Sequence, residues 1–266
     1  MPRIILLGAS NVSLSLSVIL DMLAAAHDEP FEVLTAIGHG RSYGMRSQVL
    51  FRTLPGIVDC GLWDELRSLP PATGPTLALV TDVGNDLVYG APPPRILEWV
   101  DACLARLAGP RAELTMSLLP MASVARLTAL RYHAFRTILF TGKGPTWPRM
   151  RECAAELDAG LLELGKRYGA AVIEPVGDWY GIDPIHVTRA NRPRAWRAVF
   201  DCWPSLAGRI PTHPRASWGG ERVVQASIAG RMRLWRLRPE REWWFGRLRR
   251  TRQPVIDTER LTVRMF

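Results

Sequence analysis

The sequence predicts an α/β fold of three layers, α/β/α, on a five-stranded parallel sheet, followed by an Arg/Trp-rich C-terminal extension of β character. Three observations lead there. Short, continuous apolar runs rich in β-branched residues alternate with stretches of helical period, the pattern of parallel strands buried on both faces. Glycine-rich or polar turns follow four of those runs. The 266 residues, 47% hydrophobic and 22% charged, are ordinary for one globular domain or for one domain with an appendage. That composition excludes a disordered chain, a collagen and a disulfide-dependent miniprotein. At this length folding buries roughly 70 to 75% of the unfolded surface without help from a metal or crosslink.

The predicted strands are Arg3 to Leu7, Phe31 to Ile37, Thr76 to Thr81, Glu113 to Leu118 and Ala170 to Pro175, each short and continuous. Between them, Leu16, Ile19, Leu20 and Leu23 share one helical face, as do Ile96, Val100, Cys103 and Leu107. Met150, Cys153, Leu157, Leu161 and Leu164 form a third such face, and a last helix is expected over about Arg192 to Leu206. Residues 1–207 read as the main domain and 208–266 as linker and extension, because Pro204, Pro211, Pro214, Gly219 and Gly220 interrupt the pattern. In the extension, Glu221 to Ile228 and Arg231 to Arg238 suggest a hairpin, and Val255 to Phe266 suggests another strand pair.

Charge separates the two parts. Residues 217–266 hold 12 Arg and 5 acids, or +7, of a total of +9, so the preceding body is near neutral. There are 32 arginines and two lysines, a ratio that reflects base composition as readily as anion binding, so no specific nucleic acid is expected. Cys60, Cys103, Cys153 and Cys202 are widely spaced and read as buried thiols in a reducing compartment. The apolar run Ile4 to Leu7 is too short for a signal peptide or a bilayer span, so the expectation is a soluble cytoplasmic protein.

In such sheets, ligands bind where loops converge at the carboxyl ends of the strands. Four loops qualify. In Gly8-Ala9-Ser10-Asn11, Ser10 would stand at a helix N-terminus, a site that suits a nucleophile, a helix cap or a phosphate site. The second, Gly38 to Gly44, has three glycines in seven residues, which allow close backbone approach or simply a turn. Gly84-Asn85-Asp86 offers an amide that donates to an oxyanion without titrating. Asp183 and His186, three residues apart, can pair carboxylate with imidazole while leaving the other ring nitrogen outward. A metal would need a further ligand, for which His39 is the only nearby candidate; no metal and no cofactor are expected.

Together and in this order, the loops resemble the SGNH (GDSL-type) hydrolases over about residues 1–207. That resemblance implies a flavodoxin-like three-layer fold and a serine esterase mechanism. It makes Ser10 the nucleophile, His186 the base and Asp183 its partner, with Ser10, Gly40 and Asn85 as oxyanion donors. In the glycine loop Gly38 and Gly44 compete with Gly40, which stands at its centre. One departure is Ala9, where the family usually has aspartate. The Gly-x-Ser-x-Gly elbow of another hydrolase fold is absent, since Val12 occupies its last position. The substrate class implied is a small-molecule, glycan or lipid ester. An O-acyltransferase using the same site and a noncatalytic binding protein using its basic tail are the alternatives.

Two further segments bear on specificity. Met121 to Trp147 is a long apolar connection that reads as a core helix or an acyl-pocket lid. In the tail, Trp235, Trp243, Trp244 and Phe245 lie among Arg236, Arg241, Arg247, Arg249 and Arg250, a mixture suited to an anionic surface, a homo-oligomer contact or an apolar edge of the body. Arg41 and Arg46 read either as attractors of an anionic substrate or as partners of structural acids.

Overall fold

In the computed structural model, residues 1–129, 132–133, 145–210 and 237–266 are described. Five apolar runs form parallel strands: β1 (Arg3–Leu7), β2 (Phe31–Ala36), β5 (Thr76–Val80), β6 (Ala112–Ser117) and β7 (Ala171–Ile173). Two short strands, β3 (Ser47–Val49) and β4 (Arg52–Leu54), intervene as a hairpin. The tail supplies β8 (Arg241–Trp244), β9 (Arg247–Arg250), β10 (Ile256–Asp257) and β11 (Leu261–Met265).

The main sheet has seven strands, not five, in the order β10-β11-β2-β1-β5-β6-β7. The added strands come from the C-terminal segment: β11 pairs parallel with β2, and β10 pairs antiparallel with β11. Their docking has a physical cause. Leu261, Val263 and Met265 bury one face of β11 in the core, while the buried Glu32 of β2 pairs with Arg3 of β1 at 2.7 Å and Arg264 of β11 at 3.1 Å. A second, four-stranded sheet runs β3-β4-β8-β9, so the tail also clasps the hairpin that follows the glycine loop.

Two apolar layers flank the main sheet. On one face lies α1 (Ser10–Ala26), beside α7 (Arg192–Phe200), with Val12, Leu16, Ile19 and Leu23 meeting Trp196, Phe200 and Trp203. On the other, α4 (Pro93–Leu107) packs beside α6 (Trp147–Tyr168), through Ile96, Val100, Cys103, Leu157 and Leu161. Both α4 and α6 begin with proline in the first turn, where its missing N–H costs nothing, and α6 ends on Gly169 in the left-handed conformation. Three shorter helices, α2 (Leu62–Ser68), α3 (Asn85–Val88) and α5 (Met121–Val124), fill connections.

The last helix stops at Phe200, earlier than the expected Leu206, and continues as turns through Arg209. Pro204 has no N–H to donate into a helix and disfavours helical geometry at the residue before it. The hairpin expected over 221–238 and most of the 121–147 connection lie outside the described residues. Cys60, Cys103 and Cys153 are buried thiols and Cys202 is half-buried. No helix among the described residues is long and apolar enough to cross a membrane.

Candidate active site

The carboxyl ends of β1, β2 and β5 and the loop before α7 converge. Ser10 is the first residue of α1, directly after the Gly8-Ala9 turn that leaves β1. Gly8 has to be glycine here: a Cβ would come within 2.7 Å of Val12 and 2.9 Å of Thr81. The Ser10 hydroxyl stands 2.7 Å from Nε2 of His186. On the far side of the ring, Nδ1 lies 2.5 Å from Oδ2 of Asp183. The three residues singled out from two distant stretches of sequence therefore form one hydrogen-bonded chain.

The proton positions follow from the partners. Asp183 as a carboxylate only accepts, so Nδ1 carries the hydrogen and Nε2 is left to accept from the serine hydroxyl. Burial pulls the Asp183 carboxyl upward, but its hydrogen bond and charge interaction with His186, with the N–H groups of Ile185 and His186, leave it below the usual carboxylate range. It therefore stays ionised and fixes the ring tautomer.

Two residues that sequence reasoning passed over hold this geometry. Asp82, just beyond β5, accepts from the N–H groups of Ala9 and Asn11 at 2.9 and 3.0 Å through Oδ2. The turn thus draws a carboxylate from a neighbouring loop, although Ala9 itself brings none. Asp82 sits at φ 60, left-handed backbone that is uncommon for any residue but glycine. Asn11 completes the link. Its Nδ2 donates to Oδ1 of Asp82 and to the Ile185 carbonyl, both at 2.8 Å, and its Oδ1 accepts from the Val187 N–H at 2.9 Å. One amide side chain thereby ties the serine turn to both neighbours of His186. The only available signal was Asn11 beside Ser10, which reads equally well as a helix cap.

Asn85 opens α3 and lines, together with Ser10, a cavity of about 170 Å³ whose walls include Val83, Leu87, Leu119, Trp147 and Trp196. Its Nδ2 makes a long 3.4 Å contact with the Arg41 carbonyl in the glycine loop. Gly40 is not among the described residues lining that cavity. It is left-handed at φ 62, and its carbonyl accepts from the Tyr89 hydroxyl at 2.7 Å. All three loop glycines are pressed by side chains, Leu54 on Gly38, Val49 on Gly40 and Trp99 on Gly44, so packing alone accounts for each.

Below the loop, the buried Asp86 carboxylate accepts from the Ser42 hydroxyl and the Tyr43 N–H, and Tyr43 in turn donates to the Thr81 carbonyl at 2.8 Å. Burial lifts Asp86 to about 6, against the opposing pull of those hydrogen bonds. Arg41 is fully buried, donating to the Ile37 and Phe266 carbonyls, and so faces no substrate; Arg46 lies over the Trp243 ring. His39 is exposed, within electrostatic range of Arg52, His186 and Asp82. Among the described residues no group of three or more His, Cys, Asp or Glu is arranged to hold a metal ion.

The fold that carries this site resembles that of solved proteins. Est24, a carbohydrate acetylesterase from Sinorhizobium meliloti, superposes with a TM-score of 0.51 at 12% identity, over 74% of this chain and 96% of that one. An aryl esterase of M. Smegmatis, in an inhibitor-bound form, gives 0.48 at 12% identity over 71% and 93%. The psychrotrophic esterase EstA from Pseudoalteromonas sp. gives 0.46 at 14% over 75% and 95%. The likeness to Est24 is one of fold. No family model matches the chain, and no curated protein matches it in sequence.

Proposed function

We propose that this chain is an ester hydrolase of the SGNH type that works through an acyl-enzyme on Ser10. The observation that carries the reading is the unbroken chain from Ser10 Oγ through His186 to Asp183, 2.7 and 2.5 Å, opening onto an apolar cavity at a helix N-terminus. In this mechanism His186 Nε2 takes the Ser10 proton as Oγ bonds to the ester carbonyl carbon. Asp183 keeps the ring in the required tautomer and stabilises the imidazolium. The tetrahedral oxyanion meets the Ser10 N–H and the Asn85 amide, near the positive end of the α1 dipole. Collapse breaks the bond to the alcohol, which leaves with the proton from His186. Water then attacks the acyl-serine by the same route, releasing the acid and restoring the hydroxyl.

The apolar walls supplied by Val83, Leu87, Leu119 and Trp147 suit a hydrocarbon acyl group better than a sugar hydroxyl. The test is hydrolysis of nitrophenyl esters of increasing acyl length by the wild type and by Ser10→Ala. Turnover is expected with the wild type and a loss of at least about 1,000-fold with the variant. A folded wild type inert across the series, or an undiminished variant, would overturn the proposal.

A further inference from the structure

The four-stranded sheet ends in two adjacent hairpin tips whose side chains serve neither turn nor core. Leu50, at the first position of the β3–β4 turn, has φ 53; Phe245, before Gly246 at φ 75 in the β8–β9 turn, has φ 47. Such positions favour glycine or asparagine, and a bulky apolar residue there is strained. Leu50 is nonetheless 78% exposed and Phe245 70%. The tips lie side by side: the Phe51 and Phe245 rings stack at 4.5 Å, and the Phe245 N–H donates to the Phe51 carbonyl at 2.9 Å. With Leu248, these four account for four of the nine exposed large apolar residues among those described.

The surrounding charge has one sign. Strand β9 exposes Arg247, Arg249 and Arg250, and among the described residues none of them has a carboxylate within ion-pair distance. Glu242, the acid on the paired strand, is buried and already held by Arg52 and Arg238. Arginines on an edge strand also discourage edge-to-edge pairing, but that role gives no reason for apolar side chains on strained turns. We propose that the two tips form a prong that enters an anionic lipid surface, with the β9 arginines on its headgroups. Apolar insertion combined with cationic flanks is the pattern of interfacial binding. A nucleic acid fits less well, since Leu50 and Leu248 offer no face for base stacking and Phe51 and Phe245 are stacked on each other. The proposal is independent of the esterase reading.

The test is cosedimentation of the full chain with vesicles of phosphatidylcholine alone or mixed equally with phosphatidylglycerol, alongside binding to single-stranded DNA. Wild type is expected on the mixed vesicles and not on the neutral ones. Replacing Arg247 and Arg249 by Gln should weaken that binding roughly 30-fold. Leu50→Gly with Phe245→Asn removes the apolar tips while relaxing both turns, so it should fold at least as stably as wild type and bind the mixed vesicles at least about tenfold more weakly. Wild type that ignores anionic vesicles would overturn the proposal. So would vesicle binding untouched by the tip variant, or DNA binding tighter than vesicle binding, which would make the surface a nucleic-acid or purely electrostatic one.

Discussion

Removing the Asn11 amide should disable the site while leaving the fold standing. In Asn11→Ala three hydrogen bonds vanish: two donated by Nδ2, to Asp82 and the Ile185 carbonyl, and one accepted from the Val187 N–H. At about 1 kcal/mol net for each, the loss of stability is capped near 3 kcal/mol, and water reaching these half-buried groups will reduce it. The catalytic cost is larger than that figure suggests. His186 sits between the two tethered residues, and a displacement of about 1 Å in a reacting group costs on the order of 100-fold. We therefore expect kcat for a nitrophenyl ester to fall about 100-fold with KM little changed, and phosphonylation by a fluorophosphonate to slow in parallel. Asn11→Asp should be worse, since it sets a second carboxylate against Asp82 and the Ile185 carbonyl. Turnover of Asn11→Ala within about threefold of wild type would refute the tether. So would a loss confined to KM.

Three further outcomes follow from the geometry. Asn85→Ala should lower kcat by about 100- to 1,000-fold with little change in KM, since its amide is assigned to the oxyanion and not to the bound ester; an unchanged kcat would remove Asn85 from the mechanism. Asp86 holds its proton up to about 6 in the folded state, above the ordinary 3.8, so its contribution to stability is complete below pH 4 and disappears as pH rises through 6. Unfolding free energies from urea titration of wild type and Asp86→Asn should therefore show the wild type losing about 2 kcal/mol relative to the variant between pH 4 and 7, and a pH-independent difference would contradict this. Asp183→Asn should leave the fold intact but cut kcat by about 10,000-fold, because an amide can turn its NH₂ toward Nδ1 and fix the wrong tautomer; a variant with more than a tenth of wild-type turnover would exclude that role.

The parallel core of the fold was legible because its signals are local. Runs such as Ile4 to Leu7 and Leu77 to Val80 are buried throughout, and each is too short for a helix. The serine turn and the Asp183–His186 pair were legible for the same reason, each being a short loop with its chemistry next to a strand or helix end. What escaped was long-range. Alternation in Leu261 to Met265 indicates a strand, but nothing local says that Arg264 reaches Glu32 and Glu65 and so places that strand beside β2. The strands Ser47–Val49 and Arg52–Leu54 are three residues each, too short to show a period. Asp82 looks like one acid among 25 until its carboxylate is seen under the Ala9 and Asn11 N–H groups. Arg41, within the glycine loop in sequence, proved to be buried against Phe266.

The most direct measurement is the site of covalent capture. Intact-mass analysis of the full chain after exposure to a fluorophosphonate, followed by peptide mapping, should find a single adduct on the peptide bearing Ser10, and none when His186→Ala is treated alike. An adduct on another serine, or equal capture without the imidazole, would contradict the account.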